Sequence, residues 1–203
     1  MADGFAIKQA EFIGSCAHGT PYPQPLPFEA AIVGKSNVGK SSLLNSLCRN
    51  RKLARVSGQP GKTRLINFFL LNRSFYLVDL PGYGFAKASL KEQRAWGALI
   101  ERYLESGRVK HLFLLLDIRH APTKDDAAMY QYLLYYGIPF TLIATKADKV
   151  SRAQRKNLAN AQAKLLTGRP YALLYSSESG EGRAELVQRL GELWEDALRL
   201  SEE

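Results

Sequence analysis

The residues Gly34-Lys-Ser-Asn-Val-Gly-Lys-Ser41 carry the spacing G-x-x-x-x-G-K-S, a pattern whose chemistry is phosphate binding. Its glycines let the backbone turn tightly, so that successive N–H groups converge on one concavity. A helix starting directly after such a loop adds its positive end. Lys40 is long enough to reach the β- and γ-phosphates of a nucleotide, and the Ser41 hydroxyl suits a Mg²⁺ ion shared with phosphate oxygens. The candidate cradle is therefore Gly34, Lys35, Ser36, Asn37, Val38, Gly39, Lys40, Ser41 and Ser42. The pattern has this meaning only between a strand and a helix. Both are present, as the apolar run Phe28-Glu-Ala-Ala-Ile-Val33 and the helix-like run Ser42-Leu-Leu-Asn-Ser-Leu47.

Further polar signals follow in order. Asp79-Leu-Pro-Gly82 reads D-x-x-G, in which the carboxylate holds Mg²⁺ through water and the Gly82 N–H senses a γ-phosphate. Between them, Arg55-Val-Ser-Gly-Gln-Pro-Gly-Lys-Thr-Arg64 has the polar, Gly/Pro-containing composition of a loop that moves. Thr63 in it, beside Gly61 and Lys62, can complete a Mg²⁺ shell only while the γ-phosphate is present, which would make the loop a switch. Lys40, Thr63 and Gly82 are the candidate catalytic residues, and Ser41, Thr63 and Asp79 the candidate metal ligands. Thr145-Lys-Ala-Asp148 supplies a carboxylate that accepts from guanine N1–H and its 2-amino group. Adenine offers no such donor pair and would leave a buried charge unpaired, which argues against an ATP-dependent kinase or transporter subunit. The Lys146 stem can cover the base. Ser176-Ser177-Glu178 can offer a backbone N–H to guanine O6.

The elements that must position these residues alternate along the chain. Strands are expected at 28–33, 66–71, 75–80, 111–117, 139–145 and 171–175, with a tight hairpin at Asn72-Arg-Ser74. Helices are expected after Gly39, from Ser89 to Gly107 with a Ser89/Glu92 capping box, at 125–136, from Ser151, and from about Gly182 to Leu200. This pattern predicts an α/β fold, and ligands in such sheets bind past the carboxyl ends of the strands. Residues 1–27 read as a lead-in segment, with Lys8-Gln-Ala-Glu-Phe-Ile13 a short strand or a turn of helix before Pro21-Tyr-Pro-Gln-Pro-Leu-Pro27, and 28–203 read as one domain. Trp96 and Trp194 read as packing residues.

Composition restricts the partners. Among 203 residues, 28 Lys+Arg against 19 Asp+Glu give a formal charge of +9, more than one nucleotide site needs. Basic clusters at Arg49–Arg55, at Lys62 and Arg64, and at Arg152–Lys156 favour a polyanion such as RNA over mere solubility. Two separated cysteines, Cys16 and Cys48, fit reduced thiols in a cytoplasm. The chain has neither a signal pattern nor an apolar run of membrane length, so no membrane partner is expected, and a monomer is.

Taken together, these stretches resemble the translation-factor-related small GTPases, and within them the EngB/YihA family. The resemblance runs from Phe28 to the C-terminus, and three of its stretches are specific to that family: Gly61-Lys-Thr-Arg-Leu-Ile-Asn-Phe-Phe69, Asp79-Leu-Pro-Gly-Tyr-Gly-Phe-Ala-Lys87 and Asp117-Ile-Arg-His-Ala-Pro-Thr-Lys-Asp125. Lys35 stands where Arg is commoner and Arg64 where Gln is commoner. The resemblance implies a Ras-like P-loop GTPase domain with a mostly parallel six-stranded sheet, one antiparallel edge strand and helices on both faces. It implies GTP/GDP and Mg²⁺ as ligands, assistance to late assembly of the large ribosomal subunit with its rRNA, and a need for the protein in normal septation and cell division. The other reading is a nucleotide-gated scaffold for division proteins with incidental hydrolysis.

Tyr83 follows Gly82 where a Ras-like protein has a water-orienting glutamine, so intrinsic hydrolysis should be slow. Either a partner supplies what is missing, or Asn37 helps bind a K⁺ ion that stabilises developing charge, unless Asn37 simply caps the loop. Arg119-His120 reads either as an exposed contact or as a loop pinned by an Asp117–Arg119 pair. Tyr130, Tyr132, Tyr135 and Tyr136 can stack on RNA bases, although packing accounts for at least half of them.

Overall fold

The computed structural model describes residues 4–54, 65–84 and 89–202. Its strands are β1 (Ala10–Cys16), β2 (Glu29–Gly34), β3 (Ile66–Leu71), β4 (Phe75–Asp79), β5 (His111–Asp117), β6 (Phe140–Thr145) and β7 (Leu173–Leu174). Its helices are α1 (Lys40–Leu47), α2 (Leu90–Glu105), α3 (Lys124–Tyr135), α4 (Arg152–Thr167) and α5 (Arg183–Glu202), with a 3₁₀ turn at Ala147–Lys149. The sheet order is β1-β3-β4-β2-β5-β6-β7. Strands β4, β2, β5, β6 and β7 run parallel, and β3 is antiparallel to both of its neighbours.

The apolar runs explain this arrangement. A parallel strand is covered on both faces, and every residue of β2 and β4 is buried. Side chains alternate across the sheet. Ala31 and Val33 face α2 and α3 through Tyr103, Met129 and Leu133, whereas Ala30 and Ile32 face α1 and α5 through Leu44, Leu47, Leu186 and Leu190. Helices thus cover both faces, as expected.

Seven strands form where six were expected, and the antiparallel strand is not at the edge. Residues 10–16 pair with β3, Ala10 opposite Leu71 and Cys16 opposite Ile66, with a bulge between Phe12 and Gly14. The outer edge of β3 presents backbone donors and acceptors that need partners, and β1 satisfies them. The hairpin residues Asn72 and Arg73 have φ 50° and 57°, the left-handed pair of a two-residue turn. The Asn72 side chain then fastens the lead-in: its Oδ1 accepts from Lys8 N (2.8 Å) and Gln9 N (3.1 Å), and its Nδ2 donates to Ala6 O (2.8 Å). At the other edge β7 pairs through only Leu173 and Leu174, shorter than the expected 171–175, because a turn from Arg169 to Tyr171 precedes it.

A buried polar anchor fixes the start of β2. Glu29 is fully buried and accepts from Tyr103 Oη (2.7 Å) and Arg108 Nε (2.8 Å), while Arg108 Nη1 donates to Pro23 O (2.8 Å). Helix ends follow the sequence signals. The Ser89/Glu92 capping box opens α2, Thr123 and Asp126 form another at α3, and Gly137 (φ 63°) follows α3. Three of the four tyrosines are packed: Tyr130 meets Phe140 edge-on, and Tyr132 and Tyr136 donate to Glu101 and Glu105. Tyr135 is 82% exposed.

His111 opens β5, buried, with Nε2 2.9 Å from Thr141 Oγ1. Burial, reinforced by the charge of Arg189, lowers its pKa to about 4. The unfolded chain therefore takes up a proton near pH 6.5 that the folded chain refuses until about pH 4, so stability falls as pH drops through that window. Urea unfolding at pH 7.5 and pH 5 should show a loss of about 2 kcal/mol that a His111→Gln variant lacks.

Candidate nucleotide site

Those sequence-predicted residues that the structure describes converge past the carboxyl ends of β2, β4, β6 and β7. The loop after β2 is shaped first by backbone. A β-carbon on Gly34 would fall 2.8 Å from the Leu115 carbonyl oxygen, so only glycine allows β2 and β5 to lie this close. Asn37 and Gly39 take left-handed φ values of 63° and 110°, and Gly39 caps α1. Val38 N donates to Lys35 O (3.0 Å), closing the turn. Lys40 and Ser41 open α1, and Ser42 follows within its first turn. The far end of α1 is held by Arg183, whose guanidinium donates to the carbonyls of Ser46 (3.0 Å) and Leu47 (2.6 Å).

The D-x-x-G stretch packs directly on this loop. Ser36 N and Oγ both donate to Tyr83 O, at 2.9 and 3.1 Å. A β-carbon on Gly82 would lie 3.0 Å from Lys40 Nζ, so the ammonium rests against Gly82. Asp79 is buried at the end of β4, and Asn67 Nδ2 approaches its Oδ2 at 3.4 Å. Ser15 of β1 in turn donates to Asn67 Oδ1 (2.7 Å). Burial pushes the Asp79 carboxyl up, opposed by the Lys40 charge and the Asn67 amide. Its Oδ1 is buried without a hydrogen-bond partner among the described residues. An orphaned carboxylate oxygen beside a phosphate cradle fits a water-shelled divalent cation. Among the described residues no cluster of three or more His, Cys, Asp or Glu could hold a metal by itself. Gly61, Lys62 and Thr63 lie outside the described residues.

The base-recognition loops form the other wall. Ser176 Oγ donates to Asp148 Oδ1 (2.6 Å), and Lys149 pairs with Oδ2 (3.0 Å). The Ser176 hydroxyl, with help from Lys149, holds the Asp148 carboxyl below its usual range. The Ser176 N–H is taken by Glu181 O (3.0 Å) and the Glu178 N–H by Ser176 Oγ (3.3 Å). The intervening Ser177 N–H has no acceptor among the described residues. Two bonds join this wall to the phosphate loop: Thr145 Oγ1 donates to Val38 O (2.7 Å) and Lys146 Nζ to Asn37 O (2.7 Å).

Sequence reasoning missed several residues here. Tyr83 is only 5% exposed and donates to Asp126 Oδ1 (2.7 Å), while Trp96 meets the Tyr83 ring edge-on and donates Nε1–H to Pro81 O (2.9 Å). Burial, with Asp126 beside it, raises the Tyr83 pKa far above the ordinary phenol value, so the group is a fixed neutral donor. Trp96 thus pins the D-x-x-G carbonyl besides filling space. Arg119 pairs with Asp117 through Nε (2.9 Å) and Nη2 (2.7 Å), which decides for the pinned-loop reading of Arg119.

Comparison with known proteins meets this geometry. A family model described as 50S ribosome-binding GTPase matches residues 29–146. A probable GTP-binding protein EngB of Clostridium kluyveri is 51% identical over 188 residues, covering 91% of this chain and 95% of that one. The chain belongs to the EngB family of GTPases. A probable EngB of Geobacillus kaustophilus is 44% identical over 183 residues, covering 88% and 93%. The fold is shared with the crystal structure of a probable EngB (TM-score 0.64, 22% identity, 83% of this chain and 99% of that one). It is also shared with Aquifex aeolicus Era bound to GDP·AlF₄⁻ (TM-score 0.65, 24% identity, 81% and 56%). As an EngB-family P-loop protein the chain is a GTP-hydrolysing enzyme.

The sequence assigns the separation of guanine from adenine to the Asp148 carboxylate, an assignment that substitution tests. Asp148→Ala should weaken GDP at least about a hundredfold in calorimetric titration, since two charge-assisted bonds are lost. The thermal midpoint of the nucleotide-free protein should move little.

Proposed function

We propose that this chain is a GTP-driven switch that docks on the large ribosomal subunit during its assembly, on which normal septation and cell division depend. One observation carries the nucleotide half: a carboxylate oriented by Ser176 and a Ser177 N–H with no acceptor among the described residues stand across from a phosphate loop to which Thr145 and Lys146 are bonded. A guanine accepts and donates in that complementary sense. The phosphates then lie on the amides of residues 36–41, Lys40 neutralises charge on the outer phosphates, and the Gly82 N–H reads the γ-phosphate. Ser41 and Asp79, with Thr63, would hold Mg²⁺. That ion neutralises charge developing on the phosphate oxygens.

Tyr83 cannot orient an attacking water while its hydroxyl is committed to Asp126. Hydrolysis by the isolated chain is therefore slow, and the activating element comes from the docked partner or from a K⁺ ion beside the exposed Asn37. Support for the ribosomal half comes from the family matched over residues 29–146 and from a formal charge of +9. Arg49, Arg51 and Lys52 after α1, and Arg152 and Lys156 on α4, are exposed. Such a surface binds rRNA phosphates by releasing counterions. Among the described residues no helix is long and apolar enough to cross a membrane.

Sedimentation with purified large subunits should show binding with a non-hydrolysable GTP analogue, little with GDP, and loss of binding as salt is raised. Absence of binding in both nucleotide states would remove the ribosomal half and leave the division scaffold as the surviving reading.

A further inference from the structure

We propose that Asp117 is a positioning residue for nucleotide retention: with Arg119 it sets the Lys146 ammonium on the Asn37 carbonyl and so locks the base loop to the phosphate loop. The inference rests on the reading of this site as a guanine-nucleotide site and goes beyond it, because neither Asp117 nor Arg119 needs to touch the nucleotide.

The sheet places the group. Asp117 is the last residue of β5 and lies opposite Thr145 at the end of β6, so its side chain emerges beside Lys146. Lys146 Nζ stands 3.0 Å from Asp117 Oδ2 and 2.7 Å from Asn37 O. Three further donors fix the carboxylate. Arg119 contributes Nε to Oδ1 (2.9 Å), Nη2 to Oδ2 (2.7 Å) and its own backbone N–H to Oδ1 (3.1 Å). The Asp117 backbone is fixed as well, its carbonyl accepting from Gln162 Nε2 (2.7 Å). Burial alone would raise the Asp117 carboxyl, but the donors from Arg119 and Lys146 outweigh it and hold the group ionised far below neutrality.

A lysine head on a four-carbon stem loses rotamer freedom when it is fixed, and one neutral carbonyl offsets that poorly. A carboxylate adds a charge-assisted bond of about twice the strength. The side chains are 28% exposed for Lys146 and 14% for Asp117, more sheltered than an ordinary surface pair and less screened by water and salt. A cleft of about 500 Å³ opens against them, lined by Asn37, Asp117, Arg119 and Lys146. A lysine head no longer held by Asp117 has room to leave Asn37, and its stem would then leave the base. Lys146 has φ 58°, in the sparsely populated left-handed region.

A purely structural pair would pin the 117–123 loop, and its loss would not couple to Lys146. The test is stopped-flow release of a fluorescent GDP derivative, with Mg²⁺, from the full chain and from Asp117→Ala, Lys146→Ala, the double variant and Arg119→Ala. Asp117→Ala should speed release about tenfold or more, and the double variant should be no faster than Lys146→Ala alone. Arg119→Ala should give a smaller acceleration, and the preference for GDP over IDP, which lacks the 2-amino group, should stay with Asp148 and remain unchanged. Release from Asp117→Ala at the parental rate, or effects that multiply in the double variant, would overturn the proposal. Should Asp117→Ala not fold, Asp117→Asn retains the shape without the charge and is judged by the same two outcomes. A parental chain that retains ADP as well as GDP would instead overturn the guanine reading, and this proposal with it.

Discussion

A phosphate loop functions only if its amide hydrogens face inward, and here the carbonyls at its tip are drawn outward by donors from a strand more than a hundred residues away. Thr145 and Lys146 hold the Val38 and Asn37 carbonyls. Because a trans peptide points its C=O and N–H in opposite directions, fixing the Val38 carbonyl outward turns the Gly39 N–H toward the cradle. The loop proposed to read the base and the phosphate loop are therefore one mechanical unit. The close approach of Gly34 to the Leu115 carbonyl makes that reach possible, since it brings the ends of β2, β5 and β6 side by side.

The same logic extends to the γ-phosphate side. Gly82 and Tyr83 are not a loose turn: Ser36 binds the Tyr83 carbonyl, Asp126 binds its hydroxyl and Trp96 binds the Pro81 carbonyl. Asp126 also closes the capping box with Thr123 at the start of α3. Any shift of Gly82 on a γ-phosphate thus acts on α2 through Trp96 and on α3 through Asp126. The opposite end of β2 is fixed by the Glu29–Arg108–Tyr103 network, so the strand that feeds the phosphate loop is anchored away from it. Breaking a buried pair of this kind leaves an uncompensated charge, a loss of about 3–5 kcal/mol, which suits an element that must not move.

What was legible in the sequence was local or contiguous. The G-x-x-x-x-G-K-S run, the Asn72-Arg73 turn, the Ser89/Glu92 cap and the buried runs of β2, β5 and β6 each declare themselves within a dozen residues. Strand β1 did not, because as an edge strand most of its side chains are exposed or half-buried and leave little apolar signal. Trp96 was legible only as a packing residue, and Asp126 only as a position within the helix expected at 125–136. Their second roles are single hydrogen bonds between elements that no spacing encodes. Two readings of Arg119 were open, and the bonds from its Nε and Nη2 to Asp117 chose the pinned loop.

The most direct measurement on the central claim is the GDP affinity of Thr145→Val, determined by calorimetry with Mg²⁺ present. Valine keeps the volume of this buried side chain and removes only the hydroxyl, which lies 2.7 Å from Val38 O and 3.0 Å from Leu116 O within its own wall. If the base loop orients the phosphate loop, affinity for GDP falls about tenfold or more while Asp148 still rejects ADP. An unchanged GDP affinity would mean that the phosphate loop holds its own shape, and the coupling of the two walls would be wrong.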